Sequence, residues 1–244
     1  MYDDISRHYH LIFQDWEASM AWQGNRLQQA IRSLWGEQAN RVLDLSCGIG
    51  TQTLALAREG FAMTASDLSA NSVARARQEA AKRELTIPIS VCDMLQAHAH
   101  HGSDFDVVIS CDNAVPHLLD DASILEALQQ MYACLRAGGG VLLSLRDYED
   151  NESRKDSLLP YGLREQEGKT YAVFQTRKFH GDHYDVALYF VEESDPPVVW
   201  GGRSTYYAVS LKRVMTLMET AGFRDVRRLD EAFYQPLLTA TKPA

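Results

Sequence analysis

The chain reads as an α/β fold with a mostly parallel sheet covered by helices on both faces. Two observations carry this. Between residues 41 and 145, short apolar runs alternate with helical stretches, the pattern of parallel strands joined by crossover helices. The run Phe105-Asp-Val-Val-Ile-Ser110 is nearly all apolar, as suits a central strand buried on both faces. The length of 244 residues favours one domain with an embellishment. A chain of that size buries enough surface to fold without disulfides or a metal.

The elements follow in order. Trp16, Met20, Leu27, Ile31 and Leu34 recur at three- and four-residue steps, so about Asp15 to Trp35 is a helix ended by Gly36. Arg41 to Leu45 is a strand, followed by a glycine-bearing turn and a helix from Thr51 to about Glu59. Phe61 to Ser66 is the second strand, and Ser69 or Asn71 caps a helix to about Glu84. Pro88 to Val91 is the third strand, with proline confined to its start. Phe105–Ser110 is the fourth. Asp121 to Leu135 is helical, and Gly138-Gly139-Gly140 reads as its stop before the fifth strand, Val141–Leu145. The polar residues 147–168 read as an irregular connection. Three β-rich runs follow: Thr170–Phe179, Tyr184–Val191 and Val198–Val209. His180-Gly181-Asp182-His183 makes a hairpin of the first two, and Asp195-Pro196-Pro197 separates the last two. These runs predict a small three-stranded antiparallel insert acting as a lid. A helix from Leu211 to Ala221 and strands near Arg224–Leu229 and Phe233–Thr241 complete a seven-stranded sheet. The expected organisation is one domain over 1–244, with an N-terminal helical cover (1–38), a core (39–147 and 210–244) and a β insert (about 148–209).

Charge narrows the partners. The formal net charge is −9, and the basic residues are scattered, with only short pairs at Arg177-Lys178, Lys212-Arg213 and Arg227-Arg228. Gripping a phosphate backbone or an anionic bilayer takes clustered Lys and Arg, so neither nucleic acid nor membrane is an expected partner. Cys47, Cys92, Cys111 and Cys134 form no CxxC pair and sit in or beside apolar runs. They read as buried free thiols in a reducing cytosol. The N-terminal residues carry no signal pattern, and no apolar stretch approaches the ~20 residues that span a bilayer. The expected location is cytoplasmic.

The strongest local signal is Val42-Leu-Asp-Leu-Ser-Cys-Gly-Ile-Gly50. A strand ends in a turn bearing Gly48 and Gly50, which opens a helix whose first N–H groups are unpaired. Ser46 stands where the dinucleotide fingerprint has its first glycine. Asp44 is expected against the ligand, where it would repel a pyrophosphate and attract a cation. S-adenosylmethionine carries an ammonium and a sulfonium and no phosphate, so it is preferred over NAD. Asp67 ends the second strand, where an acidic side chain accepts from ribose hydroxyls. Asp93 and Met94 follow the third strand, suited to an adenine amino group and ring. All three carboxylates lie at carboxyl ends of parallel strands, where open α/β sheets bind ligands.

In motif order from about Tyr2 to Arg146, the chain resembles the class I S-adenosylmethionine-dependent methyltransferases, which have a Rossmann-like core. The resemblance rests on VLDLSCGIGT, the strand-end Asp67, the CDM triplet at 92–94, FDVVISCDNAVPHL and LRAGGGVLLSLRDY, and departs from the usual first glycine at Ser46. It implies S-adenosylmethionine as cofactor and S-adenosylhomocysteine as product, with Leu68 and Cys111 also at the cofactor and Tyr2 and Tyr9 covering it. With the later RSTYY segment, the chain looks like the glycine/sarcosine N-methyltransferase group. That resemblance implies that Arg146 binds an acceptor carboxylate, a role that its planar guanidinium fits. It also implies that Asn113 and His117 contact the cofactor or the acceptor, and that Tyr206 and Tyr207 line the acceptor pocket.

The bland alternative for Arg146 is an ion pair with Asp147 or Asp150. His98, His100 and His101 invite a metal reading, but they lie in a polar loop without an acidic partner at helical spacing, and no metal is expected. The rivals are a small-molecule O-methyltransferase, a silent S-adenosylmethionine-binding regulator and an NAD oxidoreductase. An oligomer is left open.

Overall fold

The structure, a computed structural model, describes residues 1–149 and 154–244. Its strands are β1 (Arg41–Asp44), β2 (Ala62–Asp67), β3 (Ile89–Val91), β4 (Phe105–Ser110), β5 (Leu135–Ser144), β6 (Ser157–Gln166), β7 (Lys169–His180), β8 (His183–Glu192), β9 (Val198–Tyr207), β10 (Arg224–Leu229) and β11 (Leu237–Thr241). Seven form one sheet in the order β10-β11-β5-β4-β1-β2-β3, parallel except where β11 meets β10 and β5. The expected seven-stranded, mostly parallel sheet is therefore present. β4 is buried at every position. Its Val107 and Ile109 pack with Leu27, Ile31 and Leu56 on one face, while Val108 packs with Leu128, Met131 and Val214 on the other.

The helices are α1 (Tyr2–Ile5), α2 (Trp16–Trp35), α3 (Thr51–Arg58), α4 (Ala70–Lys82), α5 (Ala97–His101), α6 (Asp121–Cys134) and α7 (Leu211–Thr220). Asp15, Ser69, Asp120 and Ser210 each cap one, accepting from a backbone N–H three residues on. Such caps contribute about 1 kcal/mol each.

The structure corrects four expectations. Residues 157–166 are not irregular: they form β6, so the insert is a four-stranded antiparallel sheet, β6-β7-β8-β9. β6 is an edge strand whose Leu158 and Leu163 are 61% and 63% exposed, so no apolar alternation marks it. A register shift between Pro160 and Gly162 breaks the pattern further. The glycines 138–140 do not separate α6 from β5; they lie within the strand. His98–His101 sit on α5, a helix without an apolar stripe, and not in a loop. The last strand begins only at Leu237.

The N-terminal segment has a specific seat. Ile5 and Leu11 pack on Tyr171, Val173, Leu188 and Phe190, the inner face of the insert sheet. Asp3 accepts from the Ser69 hydroxyl at 2.7 Å and from Asn71 N–H at 2.9 Å, tying the segment to the start of α4. Segment and insert together cover the carboxyl ends of the parallel strands.

Gly140 shows why the glycine run belongs to β5. A Cβ there would stand 2.1 Å from the Trp35 ring, whose Nε1 donates to Thr241 on β11. Gly140→Ala should therefore cost about 2–3 kcal/mol of unfolding free energy through overpacking. Urea denaturation checks this, and a loss below about 0.5 kcal/mol would show that Trp35 yields freely.

Candidate active site

Two adjoining cavities open at the carboxyl end of the sheet. The first, about 570 Å³, is walled by the loop after β1, the ends of β2 and β3, the segment after β4 and the N-terminal segment. Ser46, Gly48, Asp67, Leu68, Asp93, Met94, Cys111, Tyr2, Tyr9 and His117 all lie on its wall. Asp67 accepts from Gly48 N–H at 2.8 Å and Ser69 N–H at 2.9 Å, joining two strand ends. Gly48 has φ +52°, a conformation open to glycine. Asp93 accepts from Leu95 N–H at 3.0 Å. Ser46 and Ser110 hydroxyls lie 2.9 Å apart.

The wall suits the expected cofactor. Among the described residues it carries Asp3, Asp67, Asp93 and Asp112 but no lysine or arginine. A pyrophosphate would meet four carboxylates against the single N-terminal ammonium of Met1, whereas an ammonium and a sulfonium would be attracted. Asp44 contributes differently from the expectation. It is buried behind the loop, off the wall, where it accepts from Thr53 Oγ1 at 2.7 Å and Ser46 N–H at 3.1 Å. Burial raises its pKa to about 7. The case against a pyrophosphate therefore rests on the other four aspartates. Gly50 is also off the wall: it starts α3 at φ +100°.

An aromatic cluster roofs this cavity. Tyr2 Oη lies 3.1 Å from His117 Nε2 and 2.7 Å from Tyr206 Oη, and His117 Nδ1 lies 3.2 Å from Ser204 Oγ. Burial above all lowers the His117 pKa to about 4, so the ring is neutral at pH 7.

The second cavity, about 730 Å³, meets the first at Asp112 and is lined by Arg146, Tyr148, Tyr161, Arg177, Tyr234 and Trp22 among others. Arg146 stands just past β5, its backbone N–H donating to Asn113 Oδ1 at 3.0 Å. Its guanidinium makes no ion pair with Asp147, which is held by Arg228 at 2.7 Å. Asp150 lies outside the described residues. Asn113 is buried off both walls and donates to Tyr184 Oη at 3.0 Å, holding the strand end that carries Arg146. Tyr206 is buried behind Tyr2. Tyr207 points elsewhere, donating to Asp121 at 3.2 Å.

Two residues of this site were not singled out by sequence. Asp112, with Asn113, has a positive φ (59° and 63°), a strained pair in non-glycine residues. Its carboxylate takes the Tyr9 hydroxyl at 3.3 Å, and its pKa is raised by burial. Arg177 sits on β7 in register with Tyr171, Val173 and Gln175, which are buried. An arginine in the inward register of an alternating strand is the signal that would have found it.

The neutral His117 makes a measurable pH difference. Unfolded histidine takes up its proton near pH 6.5, while native His117 resists until about pH 4. Across that window the unfolded state binds more protons, so wild-type stability falls as pH falls. Relative to His117→Gln, wild type should lose on the order of 2–3 kcal/mol between pH 7 and 4. Paired urea curves at several pH values test this; a pH-independent difference would contradict a buried neutral ring.

Comparison with known proteins places the chain. Residues 42–139 match the methyltransferase domain family. A glycine/sarcosine N-methyltransferase of Parasynechococcus marenigrum is 32% identical over 155 residues, 64% of this chain and 51% of that relative. A ubiquinone biosynthesis O-methyltransferase of Pectobacterium atrosepticum is 30% identical over 118 residues, 48% of this chain and 46% of that relative. The chain thus spans about half the length of these curated relatives. An S-adenosylmethionine-bound amino pentose methyltransferase from Micromonospora echinaspora shares the fold, with a TM-score of 0.79 over 97% of this chain and 95% of that one, at 20% identity. The family match over residues 42–139, the strand order and the acidic first cavity agree with a class I S-adenosylmethionine-dependent methyltransferase domain.

Proposed function

We propose that the protein transfers a methyl group from S-adenosylmethionine to the nitrogen of a small amine that bears a carboxylate, such as glycine or sarcosine. The observation that carries this reading is Arg146: a guanidinium on the wall of the second cavity, free of hydrogen bonds to the described residues and one residue wall away from the cofactor cavity. A planar fork in that place matches a carboxylate. The glycine/sarcosine relative supports the same acceptor class.

S-adenosylmethionine supplies an already activated methyl group, so the chain's task is alignment and exclusion of water. In this reading Asp67 accepts from the ribose hydroxyls, and Asp93 and Met94 flank the adenine. Arg146 holds the acceptor carboxylate, which orients the amine toward the Asp112 junction. The amine loses its proton to solvent before closure, so no general base is assigned. His117 has both ring nitrogens within hydrogen-bond distance of neighbours and is not free for that role. The insert and the N-terminal segment act as the lid, within a single methyltransferase domain. The action is on a small molecule in the cytoplasm. All four cysteines are free and buried, and among the described residues no helix is long and apolar enough to cross a membrane.

Turnover with labelled cofactor tests this against glycine, sarcosine, neutral amines and phenols. Carboxylate-bearing amines should be methylated without added metal. Arg146→Ala should raise their KM roughly 30- to 150-fold, as for about 2–3 kcal/mol of lost charge-assisted binding, with cofactor affinity within a few-fold of wild type. Methylation of phenols alone would favour the O-methyltransferase reading. Cofactor binding without turnover on any acceptor would favour the regulatory one.

A further inference from the structure

We infer that the acceptor carries a second anionic group, held by Arg177, so that the substrate class is an amine with two acidic groups a few bonds apart. This rests on the second cavity being the acceptor site and narrows the proposed class of carboxylate-bearing amines from glycine and sarcosine to those with a second acidic group. Arg177 pairs across β7 with Ser157 of β6 and Val186 of β8, so strands flank it on both sides. Its side chain leaves the sheet on the inner face, into the cavity that Arg146 lines.

Arg177 Nε is buried and makes no hydrogen bond. Gln175 Nε2, two residues earlier on the same face, is another buried donor without an acceptor. A buried donor left unpaired costs about 1–3 kcal/mol, and more when it is charged. Burial and the charge of Arg146 both pull the Arg177 pKa down, so the two guanidinium groups feel each other across the cavity.

The acidic residues on the wall do not offset this. Asp112 faces Arg146 and takes the Tyr9 hydroxyl, and Asp147 is held by Arg228. Among the described residues, Arg177 has no ion-pair partner. The cavity wall therefore presents one unpaired guanidinium donor, that of Arg177, where a ligand would sit.

A single carboxylate satisfies one guanidinium. Glycine would leave Arg177 and most of the 730 Å³ unused, a volume within the ~300–1,000 Å³ range of sites that hold much larger ligands. An amino dicarboxylate spans the need: one carboxylate on Arg146 beside the amine, the other on Arg177.

Calorimetry on the protein loaded with S-adenosylhomocysteine tests this with matched probes: glutamate against glutamine, and aspartate against asparagine. The dianionic side-chain acids should bind at least tenfold tighter than their amides. Arg177→Gln should reduce that preference to within threefold, and Arg177→Lys should keep part of it. Retained S-adenosylhomocysteine affinity would establish that each variant is folded. Should a variant fail to fold, the wild-type preference decides alone. Equal binding of acids and amides by wild type, or an unchanged preference in Arg177→Gln, would overturn the assignment. The turnover assay fails separately: acids that bind with the expected preference but are never methylated would refute the methyl-transfer reading and leave the dianion site standing.

Discussion

Two strand-end carboxylates, Asp44 and Asp67, hold the loop on which the rest of the site depends. Asp44 braces it from behind through Thr53 and Ser46, and Asp67 braces it from the front through Gly48 and Ser69. Each ties the turn between β1 and α3 to something rigid: the helix in one case, the end of β2 in the other. Hydrogen bonds of this kind contribute about 0.5–1.5 kcal/mol each. They also fix where the backbone runs, so the first cavity is formed by the fold and not by ligand. Asp67, together with Asp3, Asp93 and Asp112 on the same wall, makes the cavity acidic, which selects for a cationic ligand and against a phosphate-bearing one.

The remaining walls are borrowed from distant parts of the chain. The N-terminal segment is bonded to the start of α4 by Asp3 and packed on the insert by Ile5 and Leu11. Tyr2 then joins His117, after β4, to Tyr206, on β9. Three regions far apart in sequence meet in one roof, so cover and insert close the site as a unit. The second cavity brings in positive charge. Arg146 and Arg177 face it, and Asp112 stands between the acidic and the basic halves. That gradient is suited to a cationic donor and an anionic acceptor meeting at one wall.

The parallel core was legible because its signals are local. β4 is the same span by sequence and by structure, since a fully buried strand is a continuous apolar run. The place of Asp67 and Asp93 on the cavity wall was legible because open α/β sheets form their clefts at the carboxyl ends of strands. What sequence reasoning missed depends on tertiary placement. β6 is an exposed edge strand that owes its form to pairing with β7 and not to its own pattern. Asp44 ends a strand as Asp67 does, yet one side chain turns behind the loop and the other faces the cavity. Tyr207 and Tyr206 are adjacent, and strand alternation sends only Tyr206 inward to Tyr2. Arg177 stood in the sequence as half of a short basic pair with Lys178, and only the register of β7 turns it inward.

The most direct test of this account is a crystal structure of the protein with S-adenosylhomocysteine bound. The account predicts the ribose hydroxyls on Asp67, the adenine beside Asp93 and Met94, and the sulfur at the Asp112 end of the first cavity, facing Arg146. An adenosyl group lying in the Arg146 cavity, or a sulfur directed away from Asp112, would contradict it.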